Sequence, residues 1–150
     1  MEDNTYPFIN SRTVQLDIYD CILGKEIGRG MSRIVYEHRT DPTLVVKIET
    51  QGGSFQNVRE AELWFEIADT PFKKWFAPIV YVSACGTVIL QKKCAPCQKE
   101  KYPGKIPIFF TDTKYDNFGI LDGKFVCFDY GTIPFTMDWK NKLKKANWWE

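Results

Sequence analysis

Long apolar runs, a signal-like start and a regular cysteine pattern are all missing from this chain. The longest apolar stretch, around Trp75 to Val82, is far too short to span a bilayer. Met1-Glu2-Asp3 is acidic where a secretory leader is basic, and no apolar segment follows it. Five cysteines (Cys21, Cys85, Cys94, Cys97 and Cys127) are odd in number and irregular in spacing, unlike a secreted disulfide framework. Cys94-Ala-Pro-Cys97 has the form of half a zinc site, but no second pair completes it. The one histidine, His38, falls in a strand-like run. Reduced structural thiols are therefore expected. An excess of either charge is also lacking: 20 Lys and Arg face 19 Asp and Glu, for a net charge of +1. No bulk field calls for a membrane, and nucleic acid is a weak candidate. The expectation is a cytoplasmic protein.

The chain does have packing material. Of its 150 residues, 44% are hydrophobic and 15% aromatic, with 26% charged, enough for one domain around one core. No repeat, low-complexity tract or interior linker divides it. Leu23 to Ile27 and Ile34 to His38 are short strand-like runs separated by Gly28-Arg29-Gly30. After an Asp41-Pro42 turn, Leu44 to Ile48 is a third, rich in β-branched residues. Gln51 to Ser54 breaks the pattern and predicts a helix start, with Asn57 as N-cap and Glu60 completing a capping box. Ala61, Trp64, Phe65 and Ala68 then form one apolar stripe, ended by Thr70-Pro71. Ile79 to Val82 and Thr87 to Gln91 add two strands across a Cys85-Gly86 turn. The expected fold class is α+β, a five-stranded antiparallel sheet with one main helix packed on it.

The second half is shorter in its elements. Lys92 to Pro107 reads as a basic loop. Phe118 to Leu121 and Lys124 to Phe128 flank Asp122-Gly123, a strong hairpin signal. If those two are the turn residues, Asn117 faces Phe128, next to Asp129. Thr136 to Lys145 reads as a last basic helix carrying Trp139 and Leu143, ahead of Trp148-Trp149.

Several polar residues stand where phosphate chemistry needs them. Gly28 and Gly30 in a strand-to-strand turn let backbone N–H groups approach phosphates, although such a turn is also the ordinary hairpin. Lys47 sits inside an apolar strand, where only a carboxylate or phosphate partner draws a lysine inward. At 100° per residue, Glu60 lies about 90° from the centre of the apolar stripe, and Glu62 about 110° away on the other side. Glu60 is thus the better partner, with Glu62 a substitute. Asn117 and Asp129 at the open end of one hairpin suit Mg²⁺, which takes a few protein oxygens and leaves the rest to phosphate and water. Asp112 and Lys114 lie on the loop leading in.

Gly28-x-Gly30, Val45-Val46-Lys47, Glu60, Asp112-x-Lys114-x-x-Asn117 and Asp129-Tyr130-Gly131 together resemble the protein-kinase motif series over residues 20–131. The chain is similar to compact kinase-like proteins of bacteria and their phages. The resemblance implies an ATP-binding N-lobe at about residues 20–91 and a reduced C-lobe at 92–150. It implies that Lys47, held by Glu60, meets the α- and β-phosphates, with Gly28, Gly30 and Ser32 on the phosphate loop. Asp112 would take the hydroxyl proton, Lys114 would contact the γ-phosphate, and Asn117 and Asp129 would bind Mg²⁺. Leu90 would be the gatekeeper, and Gln91 to Lys93 the hinge against adenine.

The pattern departs from the family in places. Arg33 replaces the third glycine, Ser32 stands where an aromatic is common, and Phe110-Thr111 precedes the catalytic aspartate in place of His-Arg. Asp112 comes 20 positions after Lys92, and 19 residues follow Gly131, so neither an activation segment nor a helical C-lobe is expected here. Two functions follow as expectations. One is a minimal ATP-dependent phosphotransferase acting on protein Ser/Thr, on itself or on a small molecule. The other is a non-catalytic kinase-like module that binds nucleotide and engages a host or defence protein. The tryptophans near Lys140, Lys142, Lys144 and Lys145 offer a surface for the second, or ordinary core packing.

Overall fold

The computed structural model describes residues 11–134 and 139–150. Helix α1 (Ser11–Ile22) leads into strands β1 (Leu23–Arg29), β2 (Arg33–His38) and β3 (Leu44–Glu49). Helix α2 (Gln56–Ile67) follows, then a 3-10 turn (Pro71–Trp75), β4 (Ile79–Val82) and β5 (Val88–Lys92). These five strands form one antiparallel sheet in the order β1-β2-β3-β5-β4. The expected mixed architecture is present, with a second helix that the sequence reading did not mark. Leu16 and Ile18 of α1 are both exposed. Among the described residues no helix is long and apolar enough to cross a membrane.

Helix α2 differs in detail from its sequence reading. It begins at Gln56, after Phe55 in the left-handed region, so Asn57 is no N-cap but a buried residue of the first turn. The Glu49 carboxylate accepts the Asn57 amide at 2.6 Å, placing negative charge at the helix start where the macrodipole favours it. The buried face carries Asn57, Glu60, Ala61, Leu63 and Ile67, while Phe65 is 61% exposed. The helix is turned so that a carboxylate and an amide face inward and an aromatic ring faces out. Apolar periodicity cannot reveal a face whose purpose is polar.

The second half builds two small sheets. Strand β6 (Lys105–Pro107) pairs with β9 (Leu143–Lys145), and β7 (Phe118–Leu121) with β8 (Lys124–Cys127). The last helix expected over Thr136 to Lys145 is not formed where the chain is described. Leu143–Lys145 is a strand, and positions 136–138 lie outside the described residues. Likewise, Lys92 to Pro107 is not wholly loop, since β6 and a 3-10 turn (Lys99–Lys101) lie within it. The β7–β8 register pairs Phe118 with Cys127 and Leu121 with Lys124, as the Asp122-Gly123 turn requires. Both turn residues have positive φ, 49° and 75°, the backbone of a tight two-residue hairpin.

A single core joins the halves. Leu63, Ile67, Phe76 and Ile89 from the sheet-and-helix half pack with Ile106, Phe109, Phe110, Phe118 and Tyr130. Each such side chain contributes roughly 1.5–3 kcal/mol when fully buried. Trp139 packs on Phe72 and Phe109, with ring centroids at 5.6 and 4.9 Å, and Trp148 packs on Phe118 at 5.0 Å. Both therefore serve packing, and Trp149 is the half-exposed one.

The β7–β8 hairpin is pinned from two sides. Ala77 N donates to Cys127 O at 2.8 Å, and Ala95 and Ile120 exchange two backbone hydrogen bonds of 2.8 Å. This second contact brings the backbones together at Gly119, where an added Cβ would lie 2.6 Å from Ala95 O and 3.0 Å from Cys94 Cβ. Gly119→Ala should therefore loosen the hairpin and cost about 1–3 kcal/mol. Urea unfolding would register this as a lower midpoint at unchanged slope; an unchanged midpoint would show that the backbone can yield there.

Candidate functional site

Strand β3 is covered on both edges by β2 and β5, and its residues Leu44 to Lys47 are all buried. A lysine in that position must find its partners inside the protein. Lys47 Nζ donates to Glu60 Oε1 at 2.6 Å and also to the carbonyl of Phe128. Glu60 has no exposed surface, and it receives more than Lys47. Its Oε2 accepts from Arg33 Nη1 at 3.1 Å and from the Tyr130 amide at 3.2 Å, while Gln91 Nε2 stands 3.4 Å from Oε1. Glu62 is exposed, so the choice between the two glutamates falls to Glu60.

Arg33, noted in the sequence only as a replaced glycine, is the residue that sequence reasoning missed. It is buried, donating to Asn57 Oδ1 at 3.2 Å, to Glu60 and to Asp129 Oδ1. A signal for this was present. Val35 pairs with Lys47 across β2 and β3, and period-2 alternation puts Arg33 on the same face as Val35. Asn57 completes the frame by donating to the Lys47 carbonyl at 3.1 Å and the Thr87 carbonyl at 3.0 Å.

These groups line or back a cavity of about 710 Å³ between the sheet and the β7–β8 hairpin, within the usual range for a small-molecule site. Ile27, Val35 and Val45 contribute apolar lining. Six cationic residues (Arg29, Arg33, Lys47, Lys92, Lys93 and Lys114) line it against two carboxylates, Asp116 and Asp129. Some of that charge is matched locally: Arg29 pairs with Glu26, Lys93 with Glu37 and Lys114 with Asp116. The surplus is positive, suited to an anionic ligand.

Of the residues singled out from sequence, Gly28, Gly30, Ser32, Lys47, Gln91, Lys93, Lys114, Asn117 and Asp129 all line this cavity. Glu60 lies behind it, reaching it through Lys47. Two positions stand apart. Leu90 pairs with Val46 in the sheet, while its neighbour Gln91 pairs with Val45 and lines the cavity. Strand alternation thus gives the inward place to Gln91. Asp112 is half-buried beside the cavity wall and accepts the Lys114 amide at 3.2 Å; Asp116 is the acid of that loop that lines the cavity.

Asn117 and Asp129 are brought together by backbone. The Asn117 carbonyl accepts the amides of Phe128 at 2.9 Å and Asp129 at 3.3 Å. Their side chains offer oxygen donors, the chemistry Mg²⁺ prefers, with places left for phosphate and water. Among the described residues no group of three or more His, Cys, Asp or Glu gathers to hold a metal unaided. A cation bound here would need the ligand's own oxygens.

Charge coupling sets the ionisation of the site. Burial pushes the Asp129 carboxyl up, but the charges of Lys47 and Arg33 outweigh it and hold the group below the ordinary aspartate range. Burial also works against the charge on Arg33, and Glu60 and Asp129 reverse that effect. The Cys94 thiol, which lines the cavity, is pushed by burial up to about 11, so it stays protonated at neutral pH and is no nucleophile.

Two outcomes follow. Glu60→Gln leaves Lys47 and Arg33 short of a buried counter-charge and should destabilise the fold by about 3–5 kcal/mol, measured by chemical denaturation. A loss under 1 kcal/mol, against that scale, would mean water reaches these cations. Because Asp129 is depressed in the folded state, its stabilisation is present above the unfolded aspartate value and lost as pH falls through the folded one. Thermal stability should decline below about pH 4, less steeply in Asp129→Asn. Identical acid limbs in the two proteins would contradict this.

No protein-family model matches the chain, and no curated protein matches it. A solved structure of similar shape is the streptomycin-ATP-APH(2")-IIa ternary complex, at 15% identity and a TM-score of 0.45. The likeness covers 60% of this chain and 31% of that one. So slight a likeness adds nothing to the chemistry read from the residues themselves.

Proposed function

We propose that this chain is a minimal protein-kinase-like phosphotransferase that binds ATP with Mg²⁺ and passes the γ-phosphoryl group to a hydroxyl. The acceptor belongs to a protein serine or threonine, the chain's own included, or to a small molecule. In this reading residues 20–91 serve as the N-lobe and 92–150 as a reduced C-lobe, and the protein works in the cytoplasm. One observation carries the proposal: a buried Lys47–Glu60 pair opens onto the cavity beside Asn117 and Asp129.

The roles follow from donors and charges. Adenine would lie against the apolar lining of Ile27, Val35 and Val45, with Gln91 to Cys94 along its edge. Lys47 has three N–H donors, two of which are taken by Glu60 and Phe128. The third remains for a phosphate oxygen, and Glu60 fixes its direction. Gly28 and Gly30 allow the β1–β2 turn to come close to the phosphates. Asn117 and Asp129 would hold Mg²⁺, which when bound neutralises phosphate charge. The acceptor oxygen attacks the γ-phosphorus as the bond to the β–γ bridging oxygen breaks. Asp112 takes the hydroxyl proton, and Lys114 meets the charge on the transferred group. Catalysis of this kind is positioning plus charge stabilisation, so loss of one such group costs orders of magnitude in rate.

A second reading is favoured by two observations. Asp112 does not line the cavity, and Asp129 is held by Arg33. A site so arranged suits a module that binds nucleotide without transfer and engages another protein, such as a host or defence factor.

Incubation with Mg²⁺ and γ-labelled ATP, with and without cell lysate, separates the two. Under the proposal, label moves to the protein, to a lysate component or to free phosphate, and the movement is lost in Lys47→Ala and Asp129→Asn. If no label moves, ATP at 100 times Kd should still stabilise the fold by about 2.7 kcal/mol under the second reading. Absence of both transfer and stabilisation would sink the two together.

A further inference from the structure

The feature that the motif series does not account for is Arg33. Arg33 lines the cavity, and its guanidinium holds three polar groups around it: Asn57, Glu60 and Asp129. Arg33 and Asp129 come from segments 96 positions apart, so the contact is tertiary and depends on the whole site being assembled. With Lys47 and Glu60 they form a closed set of two cations and two carboxylates. A glycine at position 33 would leave that set at net −1, with Lys47 as the one cation of the set acting on both Glu60 and Asp129. Arginine brings the set to zero.

The three hydrogen bonds described use three of the five N–H donors of the guanidinium. The other two take part in none of these bonds, and Arg33 is among the residues that line the cavity. Guanidinium groups bind phosphate oxygens in pairs and remain charged at all physiological pH values. Arg33 therefore has the charge, the spare donors and the position to stand beside a triphosphate. It also occupies one oxygen of Asp129, a residue suited to a divalent cation.

Resting on the nucleotide-binding reading above, we propose that Arg33 is a resident cation of the site, which binds the nucleotide's phosphates itself and frees nucleotide binding from a divalent metal. A metal that enters must compete with Arg33 for Asp129.

The test is ATP binding by titration calorimetry, in EDTA and again in Mg²⁺, with the wild-type chain, Arg33→Met and Arg33→Lys. Wild type should bind ATP in EDTA within about tenfold of its affinity in Mg²⁺. Arg33→Met should lose about tenfold or more in EDTA and keep most of its affinity in Mg²⁺. Arg33→Lys retains the charge without the fork and should fall between. Mn²⁺ alone, followed by the electron paramagnetic resonance of the free ion, should bind more tightly to Arg33→Met, because Asp129 is released. Should Arg33→Met fail to fold, the wild-type comparison and Arg33→Lys decide. Binding by wild type only in Mg²⁺, or an equal loss in both buffers on replacing Arg33, overturns the role of Arg33 and leaves nucleotide binding standing. No ATP binding in either buffer overturns both.

Discussion

Glu60 is the group on which the site depends. Its carboxylate is wholly buried, and its two oxygens divide the work: one takes Lys47 and the other takes Arg33 and the Tyr130 amide. A lone buried carboxylate would be strongly disfavoured, and so would either cation. Together they satisfy one another, and in doing so they tie β3, α2, the start of β2 and the Asp129-Tyr130-Gly131 segment to a single point. Buried ion pairs contribute little net stability compared with well-packed apolar side chains. Four charges at the meeting point of four segments are therefore better understood as fixing geometry than as holding the fold. The apolar core of Phe76, Phe109, Phe110 and Tyr130 does that.

Much of this could be read from the chain because local chemistry and tertiary structure agree. β-branched runs became strands, and Asp122-Gly123 became the hairpin turn with the register that its two residues dictate. That register alone brought Asn117 beside Asp129. Lys47 was legible because a charge inside an apolar strand has few allowed fates.

The parts that were not legible share a cause. Helix α2 was read from its apolar stripe, but its inner face is built around Asn57 and Glu60, so the phase came out rotated and Phe65 was turned the wrong way. The resemblance gives both Leu90 and Gln91 to the nucleotide, but alternation along β5 lets only Gln91, opposite Val45, line the cavity. Leu143–Lys145 looked helical because its strand partner, Lys105–Pro107, is remote in sequence and too short to show a period of its own. Alternation along β2 places Arg33 on the Lys47 face, but its bond to Asp129 joins segments too remote for any local pattern to reveal.

The β7–β8 hairpin separates its two ends in a useful way. Its open end carries Asn117 and Phe128 and is fastened to the rest of the protein, while its tip bears the two turn residues. Four residue pairs lie between, about 13 Å of strand. Nearer the tip, Ile120 is bonded to Ala95, and the charge of Asp122 acts on Cys94, which lines the cavity. The hairpin therefore meets the surroundings of the cavity at both ends, so a fluorophore grafted at the turn would report on its Cys94 side.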